Sequence, residues 1–451
     1  MNIIIVGCDK VGRTLAELLG NDGNNVTVID IDDDKVREVA NKYDILGVVG
    51  NGATHTTQLE AGIKTADLLI AVTGSDELNL LCCIMARRES NCRAIARLEN
   101  PEYNDEAAYI KNELGLAMVI NPELAAAEEI ARILRFPSAL NIDTFAGGRV
   151  ELVKFKLPEK STLSGMSVKY AASKLGTDIL FCVVEREGEA YIPNGNFVFE
   201  SKDIVTIIAA PKSATAFFKK IGFRSTSVKD VIIAGGGKIS EYLCKMLAKS
   251  GMSIKIIEED KARCEELSSS LIKVCVVNGD PRNKDLMLEE GISRADAFVA
   301  LTEADEENIL LSLFAKSEST AKLITKINRI DYDTVISPLE LDSTIYPKSI
   351  TAEQIVRYAR AMKNTLGSNV ETMYTVTKGK VEAAEFKIYE PSAITGRPIS
   401  KLTFKKGVLI ASIIRDNLLI IPRGNDTIEV GDAVIVVSGT MPLHDITDVL
   451  K

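Results

Sequence analysis

Histidine is nearly missing from this chain of 451 residues, which holds only His55 and His444. So few imidazoles leave a zinc site of the usual Cys/His type short of ligands at suitable spacing. They also leave no Ser/His/Asp or Cys/His arrangement for nucleophilic catalysis. The eight cysteines (Cys8, Cys82, Cys83, Cys92, Cys182, Cys244, Cys264, Cys275) form no CxxC pair and no regular framework, which reads as reduced thiols in a cytosolic protein. Long apolar runs are missing too. A membrane-spanning helix needs roughly 18 consecutive apolar residues, whereas LLIAV from Leu68 and VLIASII from Val408 are strand-length. The N-terminal strand runs straight into a glycine turn, so no signal peptide is expected. Positive charge is in deficit: the net charge of -9 argues against a broad nucleic-acid-binding face, because affinity for a phosphate backbone rests on Lys and Arg.

What is present is a duplication. IIIVGCDKVG from Ile3 returns as VIIAGGGKIS from Val231, and later landmarks keep the same offset. Gly7 pairs with Gly235 and Asp30 with Glu258, both 228 residues on, while Asp67 pairs with Asp296 and Asn79 with Asn308, both 229 on. The match extends beyond this pattern, since VELVKFKL from Val150 returns as VEAAEFKI from Val381, and YIPNGN from Tyr191 as IIPRGN from Ile420. A two-domain unit was therefore copied whole. At about 100 to 150 residues per domain the length predicts three or four domains, and two copies make four.

From Ile3 to about Arg135, short β-rich runs alternate with helical patterns: IIIVG, VGRTLAELL, VTVID, DDKVREVANKY, ILGVVG, LLIAVT, a helix from about Glu77 to Arg88, CRAIARL, AMVI and a helix over Pro122 to Arg135. That order implies a parallel sheet covered by helices on both faces. The stretch FPSALNIDTFAGG, with Pro137, Gly147 and Gly148, breaks the pattern and is expected to be a boundary. Beyond it come VELVKFKL, a short helical piece near Ser167 to Lys174, a run through ILFCVVEREGEAYIP with a hairpin turn at EREGEA, and DIVTIIA. The second copy repeats the order, with KNTLGSNV as its linker. The expected fold class is α/β: a tandem duplication of a Rossmann-like, doubly wound parallel-sheet domain followed by a small α+β domain. The expected boundaries are 1–135, 145–225, 229–362 and 371–451.

A glycine turn between the first strand and first helix lets backbone N–H groups and the helix N-terminus face a pyrophosphate, and an acid ending the second strand can bind a ribose hydroxyl. Copy two has Gly235 and Gly237 in the GxG positions, the small residue Ser240 in the third, and Glu258 ending IKIIE. Copy one has Gly7 and Gly12, with Asp30 ending VTVID about 18 residues further on, near the expected spacing. Strand, turn, helix, second strand and acid occur in order twice, although a Rossmann fold that packs tightly and binds nothing carries the same pattern. Thr73 and Gly74 follow the fourth strand, and Thr302 holds the same place in copy two, beyond the strand ends where ligands of open parallel sheets sit. Arg97 ends the fifth strand and aligns with Lys326; this pair could meet phosphate or be surface cations at a strand end.

Asp9 departs from the pattern, because it stands in the middle position where glycine admits the phosphate. A carboxylate about 4 Å from a phosphate charge costs about 4 kcal/mol at an effective dielectric of 20, roughly a thousandfold in affinity. Site one is therefore expected to bind a dinucleotide more weakly than site two, unless Asp9 turns to solvent or Lys10 neutralises it.

GCDKVG, VTVID, AVTGSDELN, RAIARLENPEY and INPELAAAEEIARIL, followed by the small domain with Pro193 and Asn196, closely resemble the TrkA family. These are cytosolic regulatory subunits of Trk-type potassium uptake systems, built from two RCK (regulator of K⁺ conductance) units, and the resemblance spans essentially the whole chain. It implies a ring of RCK domains on the inner face of the cell membrane, held there by a membrane-embedded potassium-translocating subunit. It further implies that NAD(H), and ATP or ADP, bind the Rossmann-like halves and bias the ring between conformations that gate ion flow. Carried over by position, the nucleotide residues are Gly7, Cys8, Asp9, Lys10, Val11, Gly12, Asp30, Thr73, Gly74 and Arg97, with Gly235, Gly236, Gly237, Lys238, Ile239, Glu258 and Thr302 in the second copy.

Two other readings use the same fold. An NAD-dependent oxidoreductase would need an acid or base beside the nicotinamide; His55 is the one histidine near a nucleotide domain, aligns with Lys284, and reads as a helix-start surface residue. A structural adaptor with vestigial pockets is the third.

Overall fold

The computed structural model describes the chain apart from residues 101–102, 104–105, 137–138, 160, 176–177, 222–227, 249, 329–338, 340, 365–369, 378–379, 440–442 and 444. Pro137, His444 and most of the linker at 363–370 thus lie outside the described residues.

The first alternating series forms β1 (Asn2–Val6), α1 (Lys10–Asn21), β2 (Asn25–Asp30), α2 (Asp33–Tyr43), β3 (Leu46–Val49), α3 (His55–Glu60) and β4 (Leu68–Ala71). It continues through α4 (Asp76–Glu89), β5 (Arg93–Arg97), α5 (Ala107–Glu113), β6 (Met118–Ile120) and α6 (Pro122–Arg135). The strands make one parallel sheet in the order β3-β2-β1-β4-β5-β6. A parallel sheet is covered on both faces, which is why Ile3, Ile4, Ile5 and Val6 are all buried without alternation. The order reverses between β1 and β4, the switch point beyond which such sheets bind ligands.

The chain then builds β7 (Ala139–Phe145), β8 (Val150–Lys156), α7 (Val168–Leu175), β9 (Ile179–Arg186), β10 (Glu189–Tyr191), β11 (Ile204–Ala209) and α8 (Pro211–Lys220). The sheet is antiparallel, in the order β10-β9-β11-β8-β7. The stretch expected to be a boundary contains a strand, β7. Its glycines supply the turn into β8, while Ile142 and Phe145 are buried and fix its register.

Copy two supplies β12 (Asp230–Ala234), α9 (Lys238–Leu247), β13 (Ser253–Glu258), α10 (Lys261–Ser270), β14 (Val274–Asn278) and α11 (Lys284–Glu289). There follow β15 (Ala297–Ala300), α12 (Asp305–Glu318), β16 (Lys322–Lys326), β17 (Ser343–Ile345) and α13 (Pro347–Asn364). Its parallel order, β14-β13-β12-β15-β16-β17, repeats that of copy one. The last sheet comprises β18 (Val370–Thr377), β19 (Val381–Lys387), β20 (Val408–Arg415), β21 (Leu418–Ile420) and β22 (Ala433–Gly439). Its order, β18-β19-β22-β20-β21, is that of the first small sheet with each strand replaced by its repeat.

Like folds with like. One compact unit contains residues 1–134 and 228–356, the other 135–227 and 357–451. In the first, α6 of copy one buries Ala126, Ala127, Ile130 and Leu134 in the same cluster as Val231, Ile233, Ile239 and Leu243 of copy two. Burying a side chain such as Ile130 or Leu134 is worth about 1.5–3 kcal/mol relative to exposing it. In the second unit the two small sheets share a core, in which Val150, Leu152, Cys182 and Val183 meet Val381, Ala383, Ile435 and Val437. Each small domain also carries the same internal brace. Arg186 donates from Nε and Nη2 to the two oxygens of buried Asp203, at 2.8 Å each, and Arg415 binds Asp432 in the same two-pronged way.

Candidate functional site

Each parallel sheet ends at its switch point in a glycine turn. Gly7 has φ +108° and Gly235 φ +98°, conformations that L side chains rarely adopt. A Cβ on Gly7 would lie 3.0 Å from the backbone of Val72 and Thr73, and one on Gly235 2.9 Å from Leu301. The turn is thus pressed against the end of the neighbouring strand. The third position is solved differently in the two copies. At Gly12 a Cβ would stand 1.8 Å from the Gly7 carbonyl oxygen. In copy two, buried Ser240 instead donates its hydroxyl to the Gly235 oxygen at 2.6 Å. The first-turn N–H groups of α1 and α9, which include those of Lys10, Val11, Lys238 and Ile239, have no intrahelical acceptor and face outward from the turn.

The acids at the ends of β2 and β13 lock these turns. Asp30 accepts from Cys8 N at 2.6 Å and Asp32 N at 3.0 Å; Glu258 accepts from Gly236 N at 2.6 Å and Asp260 N at 2.8 Å. Each carboxylate oxygen keeps a second lone pair for a ribose hydroxyl. The Cys8 side chain is buried, and burial, then the adjacent Asp30, pushes its thiol up to about 12. It therefore serves the site through its backbone and not as a nucleophile.

Asp9 takes the backbone conformation of the glycine it replaces: φ −71° and ψ −177°, against −66° and −176° at Gly237, where a Cβ would meet nothing within 4 Å. The carboxylate neither turns to solvent unaccompanied nor relies on Lys10. Lys35 of α2 holds it at 2.7 Å, and this hydrogen bond, helped by the charges of Lys35, Arg97 and Lys348, keeps Asp9 below its ordinary value. The unopposed charge expected from the sequence is therefore already paired.

The arginine that braces the turn has changed helix. In copy one Arg13 of α1 donates Nε to the Cys8 oxygen at 3.0 Å and pairs with Glu38. In copy two Arg263 of α10 donates Nε to the Gly236 oxygen at 2.8 Å and pairs with Glu241 and Glu266. By the 228-residue offset, Arg13 matches Glu241 and Lys35 matches Arg263.

Beyond β4 and β15 lies a group that sequence reasoning used only as a landmark. Asn79 is fully buried; its Oδ1 accepts from Thr73 N and Oγ1, both at 2.8 Å, and its Nδ2 donates to the oxygens of Thr73 and Arg97. Asn308 makes the same four bonds with Thr302 and Lys326. Conservation of the offset at an asparagine was the signal that could have found this positioning role. Gly74 is open to a side chain, and copy two places Glu303 there.

Arg97 and Lys326 are not surface cations. The Arg97 side chain is 11% exposed, bonds the Thr73 oxygen at 2.8 Å, pairs with Glu99, and has a buried Nε without a partner. Burial pulls Lys326 below its usual value, against the charges of Asp305, Glu303 and Glu123. His55 does begin α3, and its Nε2 lies 3.2 Å from Glu89. The same contact recurs as Lys284–Glu318, so copy two fills the position without an imidazole. Outward-facing amides, close-approach glycines, a locked acid and a buried arginine with an unpaired N–H together fit a pyrophosphate and ribose.

A family model described as the TrkA-N domain matches residues 3–122 and 231–347, and one described as the TrkA-C domain matches 152–222 and 383–447. The chain is 32% identical to Trk system potassium uptake protein TrkA homolog 1 of Methanosarcina mazei, over 97% of each chain. It is 31% identical to Trk system potassium uptake protein TrkA of Halomonas elongata, over 97% of this chain and 95% of that one. In fold it is similar to the GsuK channel bound to NAD, with a TM-score of 0.65 at 17% identity, over 97% of this chain and 76% of that one.

Proposed function

We propose that this chain, which belongs to the TrkA family, is a nucleotide-responsive regulatory subunit that gates a membrane-embedded potassium-uptake transporter. The observation that carries this reading is the pair of glycine turns, each with a locked acid and a cation at the fifth strand, kept in both copies of a chain whose full length matches the family. The relatives are named for potassium uptake, and one structural neighbour is a channel bound to NAD. No helix among the described residues is long and apolar enough to cross a membrane, so ion passage is assigned to a partner. The chain is placed in a ring of its own copies, cytoplasmic and peripheral at the inner membrane face, with NAD(H) and ATP or ADP as ligands.

Within each site the work falls to the chain's own groups. The first-turn amides and Arg97 or Lys326 hold phosphate, Asp30 or Glu258 orients the ribose, and Asn79 or Asn308 fixes the strand-end loop. Gating requires that a nucleotide bind one ring state more tightly than another, because equal affinity shifts nothing. The deciding experiment measures potassium flux in vesicles carrying the membrane partner, with and without this chain and each nucleotide. Flux that ignores nucleotide despite copurification would favour the adaptor. The oxidoreductase reading is disfavoured by the Lys284 that replaces His55; steady loss of NADH absorbance with a small-molecule substrate would revive it.

A further inference from the structure

We propose that the two sites choose a base differently: Ile31 and Val49 form an apolar seat at site one that accepts a purine without reading its edge, whereas Glu259 and Arg282 form a polar seat at site two that selects adenine by its exocyclic amino group. This rests on the nucleotide-binding reading above and adds to it the residues that meet the base.

The place of the seat follows from the sheet. The glycine turn ends β1 and the locked acid ends β2, so phosphate and ribose are ordered along the carboxyl ends of the strands, from β1 toward β3. Neighbouring strands lie about 4.8 Å apart, and a base attached to that ribose comes to the ends of β2 and β3, or of β13 and β14. Both copies build this corner on the same backbone. Asp30 pairs in register with Val49 and Glu258 with Asn278, and the next amide, of Gly50 or Gly279, donates to the carbonyl of the acid at 2.8 or 2.9 Å. Ile31 therefore matches Glu259, Val49 matches Asn278, and Ala53, three residues beyond Gly50, matches Arg282, three beyond Gly279.

The side chains set on this backbone are opposites. Ile31 is 76% exposed and Val49 48%, so apolar surface stands in water immediately beside the ribose acid. A flat base laid there removes that surface from water, and apolar contact discriminates weakly between ring substituents. In copy two none of the three positions is apolar. Arg282 donates Nε to Asp280 at 2.8 Å and Nη2 to Glu259 at 3.1 Å, while Asn278 donates Nδ2 to the carbonyl oxygens of Glu258 and Glu259 at 3.2 and 3.0 Å. Two carboxylates thus hold the guanidinium at the ends of β13 and β14, where its plane can stack on a base. Glu259 gives Arg282 one oxygen and keeps the other as an acceptor. The amino group of adenine donates to such an acceptor; the carbonyl of hypoxanthine in its place would oppose it.

The test uses the full-length chain, with hydrogen exchange of residues 5–15 and 233–243 reporting occupancy of each turn. Two matched pairs are titrated: ATP with ITP, and NADH with reduced nicotinamide hypoxanthine dinucleotide. At residues 233–243 the adenine member is expected to bind roughly ten- to a hundredfold more tightly, while at residues 5–15 the members should differ by less than about threefold. Ile31→Ser should weaken both members alike at site one, by roughly tenfold, and Glu259→Ala should abolish the preference at site two. Both side chains are exposed, so neither change is expected to disturb folding. Equal preference at the two turns, a preference that survives Glu259→Ala, or unchanged binding in Ile31→Ser overturns this inference alone. A turn that none of the four nucleotides protects overturns the nucleotide-binding reading for that site, and this inference with it.

Discussion

The two glycine-turn sites share a backbone and differ in where their charge sits. Gly7 and Gly235, Asp30 and Glu258, and Asn79 and Asn308 make nearly superposable sets of bonds, most within about 0.1 Å of their repeats. The charged residues around them have been exchanged: Asp9 for Gly237, Arg13 for Glu241, Lys35 for Arg263 and Gly74 for Glu303. A duplicated fold keeps what its turn geometry requires, because a Cβ at Gly7 or Gly235 has nowhere to go. Charge is free to drift, since a lost cation on one helix can be replaced from the next. Arg13 and Arg263 show this, reaching the same carbonyl position from different helices.

The strongest way to break the comparison is to show that the sites are not separable. Ile130 belongs to copy one but is buried in the core beneath site two. Ile130→Ala is expected to cost about 2–5 kcal/mol, and hydrogen exchange should show protection lost in β12 and β13 rather than in β1. Loss confined to copy one would mean that the copies fold independently.

A second test compares the third positions of the two turns. Gly12→Ala forces a Cβ to within 1.8 Å of the Gly7 oxygen and should destabilise by about 3 kcal/mol, the upper end of ordinary overpacking. Ser240→Ala removes one buried hydrogen bond, for which about 1 kcal/mol is expected. Urea unfolding of both variants measures the gap; equal losses would show that the two turns are not differently built.

Much of this could be read from the sequence. The doubled strand–turn–helix–strand–acid order located both turns, and the helix over Pro122 to Arg135 was placed at its observed ends. Three things could not be read. The neutraliser of Asp9 lies 26 residues away on another helix, and periodicity carries no information about which side chains of α1 and α2 meet. The strand β7 hid behind a proline and two glycines, although its inward Ile142 and Phe145 were visible. The packing of α6 against α9 depends on the last helix of copy one reaching copy two, whereas an internal alignment only sets the copies side by side.

The Asp9–Lys35 pair gives an intermediate effect. Lys35→Met leaves the carboxylate unpaired in the phosphate approach; because Asp9 is half exposed, water screens most of the limiting Coulomb cost, and about a tenfold loss of site-one affinity is expected. Asp9→Gly together with Lys35→Met should recover that loss, and affinities for the four combinations form a double-mutant cycle. Additive effects would show that Asp9 and Lys35 act separately at the phosphate.

The smallest expected effect concerns Glu123. Burial, then the neighbouring Glu99, raises its carboxyl above the usual value, while Lys238 and Arg97 pull the other way; Lys326 and Lys348 also lie within electrostatic reach. One carboxylate oxygen is buried without a hydrogen bond. A raised folded value means that the folded chain holds this proton more tightly than the unfolded one. The associated stability is complete below the ordinary carboxylate value and is lost as pH rises through the raised folded value. Glu123→Gln removes that titration. As pH rises from about 4.5 toward neutrality the unmutated chain should therefore lose more stability than the variant. Urea unfolding across that range gives the difference. Parallel pH curves would mean that Glu123 is as well solvated folded as unfolded.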